Sequence, residues 1–127
     1  MQPLIVTAAI LRDNDRILIT RRPDGKPYAG MWEFPGGKLQ KNESPEQGLH
    51  REIMEELGIS IRITSVFNVV YHLYDWGPIL ILTYECLSCG GQIQNIEVAE
   101  HRWVCPADLD LFPFLPADLP IIGKLMG

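Results

Sequence analysis

Residues 44–58 carry a helix with both ends written into the chain. Ser44 suits an N-cap, Pro45 fits the first helical position, and Gln47 completes a capping box three residues after the cap. Leu49, Ile53 and Leu57 recur at four-residue spacing and mark one buried stripe. Gly58 supplies the C-terminal stop. The spacing predicts a helix from about Pro45 to Leu57. A helix this short needs tertiary packing of its apolar face to persist, so the rest of the chain must supply a surface for it.

That surface reads as β-structure. Leu4 to Leu11 is apolar and β-rich, Asp13-Asn14-Asp15 makes a turn, and Ile17 to Thr20 resumes extended structure. Arg22 to Gly30 holds two prolines and two glycines and reads as a loop. Trp32-Glu33-Phe34 predicts a short strand stopped by Pro35-Gly36-Gly37, with a loop from there to the helix. Ile61–Tyr74 and Ile79–Leu87 are β-rich around a turn at Asp75–Pro78, and Arg102–Cys105 is a short strand. Pro106–Leu111 predicts a helical turn, and Pro116-Ala117-Asp118 opens a last helix carrying Ile121, Ile122 and Leu125. Strands with two helices and no linker or repeat predict one α/β (α+β) domain over residues 1–127.

Composition excludes several classes. With 46% hydrophobic and 21% charged residues, the chain is an ordinary globular sequence rather than a disordered one. A net charge of −5 is unsuited to sequence-independent binding of duplex DNA, so stable nucleic-acid binding is not expected. A free nucleotide stays admissible if a cation bridges the two sets of negative charge. No apolar run approaches the ~18 residues that span a bilayer, and Met1-Gln2-Pro3 lacks the basic start of a secretory signal. A soluble, cytoplasmic monomer is the expectation. Cys86 and Cys89 form a CxxC at the end of a strand, where an odd offset puts them on opposite faces, and Cys105 has no partner in the pattern. These cysteines read as structural, as do His50, His72 and His101, which share no ligand spacing.

The helix carries a second pattern. Glu52, Glu55 and Glu56 fall within an arc of about 100°, off the apolar stripe. A solvated acidic face is the ordinary reading of such a run. Here it is disfavoured twice: Glu52 and Glu56 are like charges at i, i+4, and Glu55 and Glu56 sit at the negative end of the helix dipole. A bound Mg²⁺, or Mn²⁺, held by these hard oxygen ligands explains the cluster better. Gly36-Gly37-Lys38 stands just before the helix. Its glycines permit close backbone approach to a ligand, and its lysine supplies a charge for phosphate.

These residues resemble the Nudix hydrolases, whose signature is G-x5-E-x7-R-E-U-x-E-E-x-G-U with U a bulky aliphatic. Gly37, Glu43, Arg51, Glu52, Ile53, Glu55, Glu56, Gly58 and Ile59 match every fixed position over 23 residues. Thr20-Arg21-Arg22, Trp32 to Lys38, and Pro116 to Pro120 look like the MutT-type branch. The resemblance implies a mixed β-sheet sandwiched between helices, with the signature as loop–helix–loop. It implies Mg²⁺-dependent conversion of a nucleoside triphosphate to the monophosphate and pyrophosphate, with water attacking the β-phosphorus. By position, Glu52, Glu55, Glu56 and the Gly36 carbonyl would hold or organise the metal, while Glu43 and Arg51 would brace the box together with Gly37 and Gly58. Arg22 and Lys38 would face the nucleotide. Glu97, six residues before Trp103, stands where relatives place a further carboxylate that serves as ligand or base, with Glu100 the competitor.

The favoured substrate on this reading is 8-oxo-dGTP, hydrolysed to cleanse the nucleotide pool and so avoid mutation. The alternatives are CTP, dCTP or 5-methyl-dCTP, a coenzyme A or sugar-nucleotide substrate, and a non-catalytic Nudix recognition module, which usually lacks box carboxylates present here. Phe34 stands where 8-oxoguanine-preferring relatives place an aromatic. Asp118 stands where they place an asparagine, and is the departure. An ionised aspartate only accepts hydrogen bonds, which suits an exocyclic amine such as N4 of cytosine better than O6 of 8-oxoguanine. Capping of the last helix is the competing role for Asp118.

Overall fold

The structure, a computed structural model, describes residues 2–127. Seven strands form a mixed sheet: β1 (Leu4–Asp13), β2 (Arg16–Arg21), β3 (Trp32–Glu33), β4 (Gly36–Lys38), β5 (Ile61–Tyr74), β6 (Gly77–Ser88) and β7 (Glu100–Val104). The main path runs β3-β2-β1-β6-β5, with β4 paired to β1 and β7 paired to β2. Among the described strands only β1 and β6 pair in parallel. Helix α1 spans Pro45–Leu57 and α2 spans Leu119–Met126, and 3₁₀ turns occupy Pro106–Leu111 and Pro116–Asp118. No helix among the described residues is long and apolar enough to cross a membrane.

Period-two alternation sorts the strands into two cores. Ala8 and Ile10 of β1, with Ile17 and Ile19 of β2, pack beneath Ile121 and Ile122 of α2. Ala9 and Leu11, with Leu18, pack against Leu49, Ile53 and Leu57 of α1. The sheet is thus sandwiched between helices, as the sequence led us to expect. The three α1 residues are fully buried, and each contributes about 1.5–3 kcal/mol by leaving water.

Helix α1 matches its predicted bounds. The Ser44 hydroxyl accepts from the Gln47 N–H at 3.2 Å and the Gln47 side chain accepts from the Ser44 N–H at 2.9 Å. Gly58 closes the helix in the left-handed region, φ 69°, donating to the Met54 carbonyl. The β1–β2 turn narrows to Asn14-Asp15, both at positive φ, which suits a two-residue hairpin.

Several boundaries differ from expectation, among them β7, which starts at Glu100 rather than Arg102 and ends at Val104. Gly36–Lys38, read as the start of a loop, is a strand, because glycine lets its backbone lie against β1. The Trp32 strand ends at Glu33, and Phe34-Pro35 leave it to reach β4. Gly77 and Pro78 open β6 instead of closing the turn. The last helix begins as a 3₁₀ turn, and α2 proper starts at Leu119. β1 meets β2 only at the hairpin and then parts from it, pairing with β4 while β2 pairs with β7. The side chains of the site lie along this divergence.

A candidate active-site cleft

One cleft of about 870 Å³ runs between α1, β4, the 22–31 loop, the β5–β6 hairpin and the 116–118 turn. Glu52, Glu56 and Glu97 line one part of it, with Gly36, Gly37 and Lys38 beside them. Phe34, Ile79, Ile81, Ala117 and Asp118 line an apolar part, and Arg22 and Glu33 line it as well. Of the residues singled out from the sequence, Glu55, Glu43, Arg51, Gly58 and Glu100 are not among those lining the cleft.

Arg51 organises the helix from behind. Its guanidinium donates to both Glu43 oxygens, at 2.7 and 3.0 Å, to Glu52 at 2.9 Å, to Glu55 at 3.1 Å and to the Lys38 carbonyl at 3.0 Å. Bidentate pairing fixes geometry as well as charge. The Arg51 hydrogen bonds hold the Glu43 carboxyl down at about 2. The whole of α1 is thereby tied to the strand before it.

The backbone at Gly36 admits only glycine, and at Gly37 a side chain would displace the Glu52 carboxylate. A Cβ there would stand 2.5 Å from the Glu52 carboxylate, and one on Gly36 would stand 2.0 Å from the Thr7 carbonyl. Glu52 can therefore lie flat against the β4 backbone. The Gly36 N–H donates to Glu56 at 3.2 Å. Burial, then the charges of Glu33 and Glu52, push the Glu56 carboxyl up to about 9. Burial likewise raises Glu52, against the pull of Arg51. Among the described residues no Lys or Arg forms an ion pair with Glu56.

Among the described residues no three His, Cys, Asp or Glu side chains are gathered closely enough to hold a metal ion by themselves. The donor chemistry nevertheless fits a hard divalent cation. Two carboxylates crowd one wall, Glu56 with no cationic partner among the described residues and Glu52 sharing Arg51 with Glu43 and Glu55, and backbone oxygens lie alongside. A shell completed by substrate phosphate oxygens asks for no third side chain.

Glu97 sits on a segment fastened to the end of α1. Gln94 N–H donates to the Leu57 carbonyl at 3.0 Å, and the N–H groups of Ile96 and Glu97 donate to the Glu56 carbonyl at 3.0 and 3.3 Å. These bonds satisfy carbonyls that the helix leaves open. Glu100 is engaged elsewhere, accepting from Arg102 at 2.7 Å and Arg21 at 3.2 Å, and its carboxyl is lowered by them.

Arg22, expected to face the nucleotide, lines the cleft, and its Nε and Nη1 also donate to the fold: to both Glu33 oxygens at 3.2 and 3.0 Å and to the Pro27 carbonyl at 2.7 Å. Asp118 makes no capping bond to α2. It is 5% exposed, and its Oδ2 has no partner. Burial, with Glu33 next, holds its carboxyl well above the usual aspartate range, although the Phe34 N–H donates to it. Burial thus disfavours the ionised aspartate expected from the sequence and favours the protonated carboxyl, which donates as well as accepts.

Glu33, Lys26, Tyr28, Tyr74 and Trp76 also line the cleft and were not singled out from the sequence. Glu33 had one legible signal: it alternates with Trp32 and Phe34, whose side chains enter the core. The cysteines are free, with Cys86 buried and Cys89 and Cys105 exposed.

Comparison with known proteins agrees with this geometry. The NUDIX domain family model matches residues 1–125. A CTP pyrophosphohydrolase of Escherichia coli is 32% identical over all of this chain and 94% of its own length. An 8-oxo-dGTP diphosphatase of the same organism is 32% identical, covering 98% of both chains. The crystal structure of a MutT NUDIX hydrolase from Burkholderia pseudomallei superposes with a TM-score of 0.88 at 28% identity, over 98% of each chain. A full signature on a capped helix, a sheet sandwiched between helices and a match along the whole chain lead to one assignment: this chain belongs to the Nudix hydrolase family.

Proposed function

We propose that the protein is a Mg²⁺-dependent nucleoside triphosphate pyrophosphohydrolase whose favoured substrate is 8-oxo-dGTP. The observation that carries the reading is a single cleft with a carboxylate wall and an apolar wall ending at a buried Asp118. Triphosphate and base have separate places in it, and the substrate is a free nucleotide rather than a nucleic acid.

Glu52 and Glu56 would hold the metal, with the Gly36 carbonyl beside them and Glu55 on the outer side of the same helix. Bound there, the cation stabilises charge on the phosphoryl oxygens as it develops. Lys38 faces the phosphates. Glu97, rather than Glu100, takes a proton from the attacking water. The water oxygen adds to the β-phosphorus, the bond from that phosphorus to the α–β bridging oxygen breaks, and the nucleoside monophosphate leaves with pyrophosphate as the other product. Glu43, Arg51 and the Arg22–Glu33 pair position these groups without touching the reacting atoms.

The base is read at Asp118. Its neutral carboxyl offers a hydroxyl to O6 of 8-oxoguanine, and its other oxygen, which takes the Phe34 N–H, has a lone pair left for N7–H. Ordinary guanine has a bare N7, so that oxygen would repel it. Phe34 forms part of the apolar wall. A second reading rests on the same residue: in its ionised form Asp118 accepts from N4 of cytosine, which would make CTP or dCTP the substrate, as the Escherichia coli relative's name suggests for that protein.

The test is a panel of normal, oxidised and 5-methylated nucleoside triphosphates with Mg²⁺, with products identified by anion-exchange chromatography. The highest kcat/KM should belong to 8-oxo-dGTP, with pyrophosphate released. A cytidine nucleotide ranking first would select the second reading, and release of orthophosphate would overturn both.

A further inference from the structure

At the apolar end of the cleft the structure assembles aromatic rings from two distant segments. Tyr74 and Trp76 come from the β5–β6 hairpin and Tyr28 from the 22–31 loop, and all three line the cleft. The Tyr74 and Trp76 rings stack at 5.2 Å with an interplanar angle of 11°, and Tyr28 lies 5.7 Å from Tyr74. The Trp76 indole N–H donates to the Tyr28 hydroxyl at 3.2 Å. The Tyr74 hydroxyl accepts from the Ala117 N–H at 3.2 Å, which ties the cluster to the residue next to Asp118.

A cluster made only to pack the hairpin would bury its largest ring. Trp76 is 51% exposed and Tyr28 39%. One face of the indole lies on Tyr74, and its N–H is held by Tyr28. An exposed, oriented ring beside a group that hydrogen-bonds a base edge is a stacking platform, because every nucleobase presents a π-face and gains from such contact. Tyr28 itself holds a left-handed backbone, φ 60°, with its carbonyl accepting from the Met31 N–H. A non-glycine residue fixed there is placed by its surroundings rather than by preference.

We propose that Trp76 is the stacking platform for the nucleobase, held by Tyr28 as a positioning residue, and that this platform favours purines over pyrimidines. The preference follows from ring area, since a bicyclic base covers more of the indole than a pyrimidine does. The inference rests on the reading of Asp118 as the base-edge contact.

Binding without turnover separates this inference from the proposed reaction. Intrinsic tryptophan fluorescence is titrated with 8-oxo-dGMP and with dCMP in EDTA, for the wild type, Trp76→Phe, Trp76→Ala and Tyr28→Phe. In the wild type, 8-oxo-dGMP quenches emission and binds more tightly than dCMP. In Trp76→Phe the quench is lost, because Trp32 and Trp103 lie away from the cleft lining. In steady-state assays Trp76→Ala raises KM for a purine triphosphate about tenfold with little change in kcat. The pyrimidine KM rises less, and Trp76→Phe recovers most of the loss. Tyr28→Phe gives a smaller rise in KM. An equal quench in Trp76→Phe, or a Trp76→Ala KM within twofold of wild type for both base classes, overturns the proposal. Quenching by 8-oxo-dGMP in a protein that releases no pyrophosphate would leave the platform standing and remove the proposed reaction.

Discussion

Arg51 grips Glu43 with two parallel hydrogen bonds, 2.7 Å from Nε and 3.0 Å from Nη2, while its other terminal nitrogen reaches Glu52 and Glu55. One guanidinium therefore sets the orientation of the acidic helix face from a residue that lies outside the cleft. Glu43→Gln should leave the helix folded yet lower kcat, since Glu52 loses its orienting partner. The Glu43 carboxyl is held at about 2 against an ordinary 4.5. A depressed carboxyl contributes stability above the ordinary value and loses it as pH falls toward 2. The acid limb of Tm against pH should flatten over that interval in Glu43→Gln, and an unchanged limb would remove the linkage.

Glu56 has the opposite sign. Its carboxyl is raised to about 9, so its contribution is complete below the ordinary 4.5 and falls as pH rises toward 9. Glu56→Gln should lower kcat by about two orders of magnitude or more. In the metal-free protein at pH 8 its Tm should equal or exceed that of the wild type. Added Mg²⁺ should raise the wild-type Tm and leave the variant's unmoved. If Glu52→Gln and Glu56→Gln both keep near-full activity at limiting Mg²⁺, the metal assignment is wrong.

The two carboxylates that competed from the sequence should separate by phenotype. Glu97→Gln is expected to reduce kcat by about 10²-fold or more, as loss of a positioned base does. Glu100→Gln breaks exposed pairs with Arg21 and Arg102, so it should alter thermal stability slightly and kcat little. The reverse order in kcat would transfer the role to Glu100.

Asp118→Asn preserves one donor and one acceptor, and should keep the preference for 8-oxo-dGTP. Asp118→Leu keeps the volume and removes both, costing about 1–3 kcal/mol in kcat/KM for that substrate. Because its carboxyl is raised from 3.8, Asp118 contributes full stability below that value and less as pH rises. The decline should be shallower in Asp118→Asn. A shift of kcat/KM in Asp118→Asn away from cytidine nucleotides and toward 8-oxo-dGTP would show that the ionised form is the one that binds.

Much of this site was legible in the chain. The Ser44–Gln47 box and Gly58 bound α1 because capping is local chemistry, and the spacing of Glu52 and Glu56 turned both into the cleft because helix geometry is local too. What escaped depends on distance along the chain. Gly36–Lys38 is a strand only because β1 lies beside it. Arg22 meets Glu33 across a loop, and Trp76 meets Tyr28 across 48 residues, where no periodicity links the two. The upward shift of the Asp118 carboxyl follows from burial by other segments, which residue type alone does not encode.

Isotope placement reads out the proposed water attack at the β-phosphorus. Turnover of 8-oxo-dGTP with Mg²⁺ in ¹⁸O-labelled water should put the label in pyrophosphate and leave 8-oxo-dGMP unlabelled, as read by mass spectrometry of the separated products. Label in the monophosphate would put the attack at the α-phosphorus, labelled orthophosphate with 8-oxo-dGDP would put it at the γ-phosphorus, and either overturns the proposed reaction.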